Sequence, residues 1–298
     1  MVIPGTNDNG LADAIVKGLD AEKASIYKKK FPDNEHYVRI IKPSSLDNSI
    51  AIIVNTLYPD QNDLWIETLF LTNAARNLGA DMVINVIPYM AYSRQDKVFL
   101  SGEPISINVF LKALRAAGSD CLITIDMHNP ESLKEFHGCS KNVLVSDILA
   151  KRALNYVSKP IILAPDKGAL QRAKYAAESI GAEFDYLIKT RDKVTGKVSL
   201  EPKPLSVVGK DVIIIDDIIS TGGTIALAAK KCLENGAKQV IVAASHLLLV
   251  GDAVEKLKKA NVKKVIGANT IPVSIKDPVI EIVDISRRVI EVLKELIA

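Results

Sequence analysis

Seven short runs, 50–55, 82–87, 121–126, 161–164, 212–215, 240–243 and 265–266, consist mainly of valine, isoleucine and other apolar residues. A strand with one wet face alternates apolar and polar side chains. These runs do not, so both faces must be covered, as happens when parallel strands lie between two layers of helices. Between them lie helix-like stretches of roughly 11–17 residues. Several stop at a glycine: 74–78 before Gly79, 111–117 before Gly118 and 226–235 before Gly236. Such strand–helix–strand alternation defines the α/β doubly-wound class.

The pattern occurs twice. Ile52-Ile53-Val54-Asn55 leads through a loop and a helix to Asn77-Leu78-Gly79-Ala80, then Val83-Ile84-Asn85-Val86. Ile213-Ile214-Ile215-Asp216 leads in the same way to Asn235-Gly236-Ala237-Lys238, then Val240-Ile241-Val242-Ala243. We read this as a duplication into two similar domains, 1–143 and 144–298. The split falls near 141–146, where a strand gives way to Asp147 and a new helix. A chain of 298 residues has room for two cores. Segment 190–205 stands apart: it holds Gly196, Pro202, Pro204 and alternating charges, with little to bury, and reads as a mobile loop or hairpin.

The net charge is +3, with both signs mixed throughout. A nucleic-acid-binding surface needs clustered basic residues, and Lys28-Lys29-Lys30 alone reads as a solvated edge. Cys121, Cys139 and Cys232 are far apart and form no C-x-x-C, which suits a reducing compartment and gives each the role of a small core residue. No basic stretch followed by an apolar one opens the chain, and no apolar run approaches ~18 residues. The expectation is a cytoplasmic protein that engages neither nucleic acid nor membrane.

The strongest chemical signal is Val212-Ile213-Ile214-Ile215-Asp216-Asp217-Ile218-Ile219-Ser220-Thr221-Gly222-Gly223-Thr224, followed at once by a helix over 225–235. A buried strand ends in two carboxylates, and a loop of hydroxyls and glycines then opens a helix. Backbone N–H groups, hydroxyls and the positive end of the helix dipole converge there, as a phosphate requires. Glycine lets the backbone come close and take positive φ. Asp216 and Asp217 suit the vicinal hydroxyls of a ribose. Phosphate binding by a Walker A loop is excluded, because Gly196-Lys197-Val198-Ser199 has Arg191 where the upstream glycine should be. No G-x-G-x-x-G fingerprint exists either.

Further segments carry a resemblance. Phe31-Pro32-Asp33-Asn34-Glu35-His36-Tyr37-Val38-Arg39, Pro88-Tyr89-Met90-Ala91-Tyr92-Ser93-Arg94-Gln95-Asp96-Lys97, Asp126-Met127-His128, Ala164-Pro165-Asp166-Lys167-Gly168 and Lys189-Thr190-Arg191 stand in this order, with the acid-pair loop last. Together they resemble the ribose-phosphate pyrophosphokinase (PRPP synthetase) family over nearly the whole chain. The acid-pair loop alone is also similar to that of type I phosphoribosyltransferases, which lack the N-terminal half.

The resemblance implies an α/β fold of two tandem type I phosphoribosyltransferase-like domains with parallel sheets, related by a pseudo-twofold. The first domain has Asn55-Thr56-Leu57-Tyr58-Pro59-Asp60-Gln61-Asn62 where the second carries its acid pair and glycines. The implied activity transfers diphosphate from Mg-ATP to ribose 5-phosphate. The implied ATP residues are Phe31, Asp33, Glu35, Arg94, Gln95, Asp96 and His128, with Phe31 serving a neighbouring subunit's site. ATP is expected at the domain junction and subunit interface of a homo-oligomer, at least a dimer. Ribose 5-phosphate falls to Asp216, Asp217, Ser220, Thr221, Gly222, Gly223 and Thr224. Mg²⁺ falls to His128 and Asp166, and transition-state charge to Lys189, Arg191 and Arg94. A phosphoribosyltransferase and an inactive regulatory subunit are the rival readings. Three departures stand out: Ala169 and Asn34 replace family glycines, and Ser220 replaces a third acid found in many members. The apparent helix 291–298 comes without the extended tail of bacterial and animal relatives, so ADP-type control and a hexameric ring are not expected.

Overall fold

The computed structural model describes residues 1–187 and 207–298, and the backbone alone of 189–191 and 198–200. By its internal contacts the chain divides into two units, 1–143 with 270–272 and 286–298, and 144–269 with 273–285.

The first unit contains β1 (Val2–Pro4), α1 (Leu11–Leu19), β2 (Ser25–Lys30), β3 (His36–Lys42), β4 (Ile50–Val54), α2 (Gln61–Asn77), β5 (Met82–Ile87), α3 (Ser106–Ala116), β6 (Cys121–Ile125) and β7 (Cys139–Val143). Its main sheet has the order β1-β4-β5-β6-β7, and every pairing is parallel. This is what continuous apolar runs demand: β4 and β5 are buried at nearly every position. The helix α2 presents Leu64, Trp65, Thr68, Leu71, Thr72 and Ala75 to the interior, a stripe at the 3–4-residue spacing of one helix face. Antiparallel β2 and β3 form a separate hairpin. The C-terminal helix Ser286–Ile297 packs on α1 within this unit, and Gly18 faces its Ile290.

At the N-terminal edge of that sheet Asp120 ties four elements together. Its Oδ2 accepts the Val83 N–H at 2.9 Å and a short bond from Arg76 of α2, while Arg115 of α3 reaches Oδ1 at 3.2 Å. Arg76 also donates to the carbonyls of Gly118 and Ala80.

The second unit contains α4 (Ser146–Ala153), β8 (Ile161–Ala164), α5 (Leu170–Ile180), β9 (Glu183–Tyr186), β10 (Lys189–Arg191), β11 (Val198–Leu200), β12 (Asp211–Ile219), α6 (Gly223–Glu234), β13 (Gln239–Leu247), α7 (Ala253–Lys259), β14 (Val262–Ala268) and β15 (Ile280–Val283). Six of its strands form one parallel sheet of order β15-β14-β13-β12-β8-β9. From β8 the chain steps outward to β9; from β12 it steps the other way, to β13. The reversal leaves a crevice above the carboxyl ends of β8 and β12, where open α/β sheets bind their ligands. The pair β10–β11 is antiparallel, and the remainder of segment 190–205 lies outside the described residues.

Two expectations need correction. The strand carrying the acid pair does not stop at Ile215; it pairs with β13 as far as Ile219, because Ile218 and Ile219 continue its apolar pattern. Cys139 is exposed rather than a core residue, since β7 is the edge strand, whereas Cys121 and Cys232 are buried.

Asp120→Asn tests the four-way tie. Burial pushes the Asp120 carboxyl up, but the bonds from Val83, Arg76 and Arg115 outweigh it and hold its pKa below the usual 3.8. A depressed carboxylate contributes stability above its unfolded pKa and loses it as pH falls through the folded one. The variant should therefore lose about 1 kcal/mol at pH 7. The difference should shrink as denaturant titrations move below about pH 4.

Candidate functional site

The second unit gathers three predicted elements at the carboxyl ends of adjacent strands. Asp166 follows β8 and caps the turn after it, its Oδ1 accepting from the N–H groups of Gly168 (2.9 Å) and Ala169 (3.3 Å). Ala169 has φ −86° and ψ 0°, an ordinary right-handed conformation, so alanine there costs no backbone freedom. Asp216 and Asp217 lie near the end of β12, followed by the loop 220–222 and α6.

Each acid is aimed by its own backbone. Asp216 Oδ1 accepts the Asp217 N–H and Asp217 Oδ1 accepts the Ile218 N–H, both at 2.9 Å. Burial, and then the neighbouring Asp217 carboxylate, push the Asp216 carboxyl well above the usual carboxylate range; Arg172 pulls the other way. Asp217 is itself buried, with Arg172 Nη2 at 3.9 Å from its Oδ2. Such a pair cannot cheaply carry two full charges, but it offers closely spaced acceptors to a vicinal diol.

The loop after the acids is pinned by bonds from Leu249 N–H to Ile219 O (3.1 Å) and Val250 N–H to Ser220 O (3.0 Å). Gly222 caps α6 at φ 72°. Gly223 and Thr224 already belong to the first helical turn, so the helix starts two residues before the sequence suggested. Thr221 and Gly223 are exposed, Ser220 and Thr224 half-buried. The exposed backbone N–H groups of a helix N-terminus favour an anion.

In the first unit Arg94, Gln95 and Asp96 follow β5, and His128 follows β6, its neighbour in the sheet. Arg94 and His128 are exposed. Both loops contain a non-glycine residue at positive φ, Tyr92 (66°) and Asp126 (39°), which persists only where surroundings over-determine it. The surroundings are visible. The Tyr92 ring stacks on Phe110 (4.5 Å between centroids), Phe110 stacks on buried Trp65 (4.6 Å), and the Tyr92 hydroxyl bonds to Asn62. Met127 N–H donates to Asn142 Oδ1 at 2.8 Å. Asn129 Nδ2 donates to Asp96 Oδ2 at 2.7 Å, joining the two loops, and Ser106 Oγ donates to Gln95 Oε1 at 2.8 Å.

Phe31, Asp33 and Glu35 occupy the tip of the β2–β3 hairpin, all exposed. Asn34 takes φ 70°, a left-handed conformation that asparagine tolerates. Asp33 Oδ1 accepts the Glu35 N–H at 3.2 Å. Phe31 meets Tyr37 edge-on at 5.9 Å, and the Lys29 ammonium lies 4.4 Å from the Phe31 ring centre. The Asp63 carboxylate of α2 receives Lys30 and stands 3.1 Å from His36 Nε2, clasping the hairpin to the helix. The side chains of Lys189 and Arg191 lie outside the described residues.

The first unit's counterpart of the acid-pair loop is filled by its own side chains. Buried Glu67 accepts from Thr6 N–H (2.5 Å) and from Thr6 Oγ1. Buried Asn55 accepts from Asn7 N–H at 3.1 Å and donates to Thr68 Oγ1 at 3.0 Å.

Sequence reading missed Arg172, Asn129 and Ser106. Arg172 left a signal: it falls on the stripe 169, 172, 173, 176, 177, where the other four residues are alanines. A lone arginine on such a buried face needs a partner.

Residues 1–118 match the N-terminal domain of ribose phosphate pyrophosphokinase, and 142–278 match the phosphoribosyl transferase domain. The ribose-phosphate pyrophosphokinase of Saccharolobus solfataricus is 42% identical over 291 residues, covering 97% of this chain and 98% of that one. That of Pyrococcus furiosus is 44% identical over 260 residues, covering 86% and 91%. The crystal structure of phosphoribosylpyrophosphate synthetase from Mycobacterium smegmatis superposes with a TM-score of 0.89 at 26% identity, covering 100% and 98%.

Paired alanine substitutions test the loop geometry. Gly222→Ala places a Cβ at positive φ, 3.1 Å from the Ala253 carbonyl oxygen, and should cost about 1–2 kcal/mol in chemical denaturation. Gly223→Ala meets no atom within 4 Å and should stay within about 0.5 kcal/mol of the parent.

Proposed function

The chain belongs to the ribose-phosphate pyrophosphokinase family, and from that premise we propose that it transfers the β,γ-diphosphate of Mg-ATP to carbon 1 of ribose 5-phosphate. The products are AMP and 5-phospho-α-D-ribose 1-diphosphate. The observation that carries the reading is the carboxylate pair followed directly by a glycine-opened helix at the switch point of the second unit. One end of it suits a sugar diol, the other a phosphate.

In this reading residues 144–298 serve the sugar. Asp216 and Asp217 accept hydrogen bonds from its vicinal hydroxyls, and Ser220, Thr221, Gly222, Gly223 and Thr224 hold the 5-phosphate. Residues 1–143 serve ATP, with Arg94 forking onto phosphate oxygens and Gln95 and Asp96 fixing its angle. Phe31 stacks on adenine, and Asp33 and Glu35 bond its polar edge or the ribose, in the ATP site of an adjacent subunit. The protein then works as a dimer or larger homo-oligomer.

The metal is Mg²⁺ and arrives with ATP. Among the described residues no group of three or more histidine, cysteine or acidic side chains could hold a metal ion. That fits a cation bound chiefly by water and substrate phosphates, with one or two protein oxygens added. Asp166 would supply such an oxygen, and His128 would be a further ligand.

Chemistry needs no protein nucleophile. The C1 oxygen forms a bond to the β-phosphorus in line with the breaking bond to the α-phosphate oxygen. AMP leaves with that electron pair, and the hydroxyl proton passes to water. Catalysis is positioning and charge neutralisation by Arg94, Lys189 and Arg191.

With ATP labelled at the β-phosphorus, label should appear in the sugar diphosphate while AMP is released. Label in ADP would mean simple phosphorylation and end this reading. Lys189→Ala and Arg191→Ala should each lower kcat on the order of 10²-fold with little change in KM, as expected for groups acting in the transition state; a rise confined to KM would place them in ground-state binding.

The shared ATP site has its own test. Phe31→Ala/Glu35→Ala and Arg94→Ala should each be inactive. After subunit exchange, verified by mass, their mixture should recover activity, because a mixed dimer contains one intact site. An exchanged but inactive mixture would put both halves of the site within one chain.

A further inference from the structure

We propose that Arg172 is a positioning residue for the sugar site, a buried counter-ion that holds Asp217 as the charged hydrogen-bond acceptor of the acid pair. The inference rests on the reading that Asp216 and Asp217 bind the ribose diol. It begins from a mismatch between side chain and surroundings. Arg172 is 9% exposed on a helix face otherwise made of Ala169, Ala173, Ala176 and Ala177. A helix that needed only to pack against the sheet would place another small apolar residue there. A guanidinium taken out of water is expensive unless an opposite charge receives it. The charge that receives it is the Asp217 carboxylate, whose side chain is 7% exposed.

The separation defines how the pair works. At 3.9 Å from Nη2 to Oδ2, the contact is too long for a hydrogen bond, so Arg172 acts through its charge. Asp217 Oδ1 already accepts the Ile218 N–H; Arg172 therefore does not compete for that bond. Its field reaches the partner acid as well, opposing the burial and repulsion that favour the neutral form of Asp216. A ribose diol presents two hydroxyl donors. Without Arg172 the charge beside Asp217 would be lost, and a carboxyl that takes up a proton loses part of its capacity to accept. α5 thus supplies, from beneath the sheet's binding edge, the charge that lets two adjacent acids serve one sugar.

The test uses the full-length protein and four variants, with each KM measured at saturating co-substrate. Arg172→Gln should raise KM for ribose 5-phosphate on the order of tenfold or more and leave KM for Mg-ATP within about twofold. Arg172→Lys should restore most of the affinity, since a point charge suffices for a charge acting on Asp217 from 3.9 Å. Asp217→Asn should itself raise KM for ribose 5-phosphate. Adding Arg172→Gln to Asp217→Asn should then raise KM by less than about threefold, because Arg172 acts mainly through Asp217 and only weakly on Asp216. The double variant removes both charges of the Arg172–Asp217 pair together, so it carries the test even if Arg172→Gln alone fails to fold. An additive further loss in the double variant, or equal rises in both KM values, would overturn the inference. If Asp217→Asn leaves KM for ribose 5-phosphate unchanged, the assignment of the acid pair to the sugar fails instead.

Discussion

The second unit depends on one constraint: β12 is buried on both faces and yet must carry two adjacent carboxylates to its end. Its apolar stretch over 212–215 is fully covered, which fixes the strand in the middle of a parallel sheet, between β8 and β13. A central strand can expose polar groups only at its carboxyl end, where the crossover to the next helix leaves the layers. Near that end Asp216 is half-buried and Asp217 buried; their own chain aims both, and Arg172 stands beside Asp217. The short loop that follows needs Gly222 at positive φ to turn directly into α6. Acid pair and helix N-terminus therefore lie a few residues apart, and both ends of one small phosphorylated sugar can be met by a single connection.

The first unit uses the same layers differently. Where the second unit keeps its loop open with glycines, the first closes the equivalent loop with Asn55, Glu67 and Thr6, each occupied by a neighbour. In the proposed reading its chemistry lies along the sheet, at the ends of β5 and β6. Those loops hold Tyr92 and Asp126 in costly conformations through ring stacking and side-chain bonds. Rigidity there comes from long-range packing, as with Phe110 between Tyr92 and Trp65. A glycine loop can adapt around a ligand; a strained and buttressed loop presents Arg94 and His128 at fixed places before any ligand arrives.

The parts legible in sequence are those whose cause is local. Uninterrupted Val/Ile runs announced parallel strands. The acid pair and its glycines could be read because strand, acids, loop and helix are contiguous. The strand's continuation to Ile219 was hidden, because ladder pairing with β13 is a tertiary property and two aspartates look like a stop. The edge position of β7, which exposes Cys139, likewise depends on sheet order. The ties Asn129–Asp96 and Ser106–Gln95 join residues far apart in the chain, and nothing in either local stretch requires the other. Arg172 lies between these cases: its helical register was readable, but its partner, 45 residues later in the numbering (217 − 172), was not.

The sparse metal chemistry follows from the same logic. A resident metal requires several converging ligands, whose mutual repulsion must be overcome in the metal-free protein. Among the described residues no such cluster exists, and even the acid pair in β12 has an arginine 3.9 Å from one member. For a substrate that carries its own cation, a preformed cage would be a liability: it would compete with the phosphates for the ion and leave uncompensated charge whenever the site was vacant. Dispersed single donors avoid both costs. Asp166 illustrates the compromise, since its Oδ1 is committed to capping the turn at Gly168 and Ala169. That bond orients the carboxylate in the absence of metal. The specificity of the proposed site then rests on the fixed directions of a few side chains.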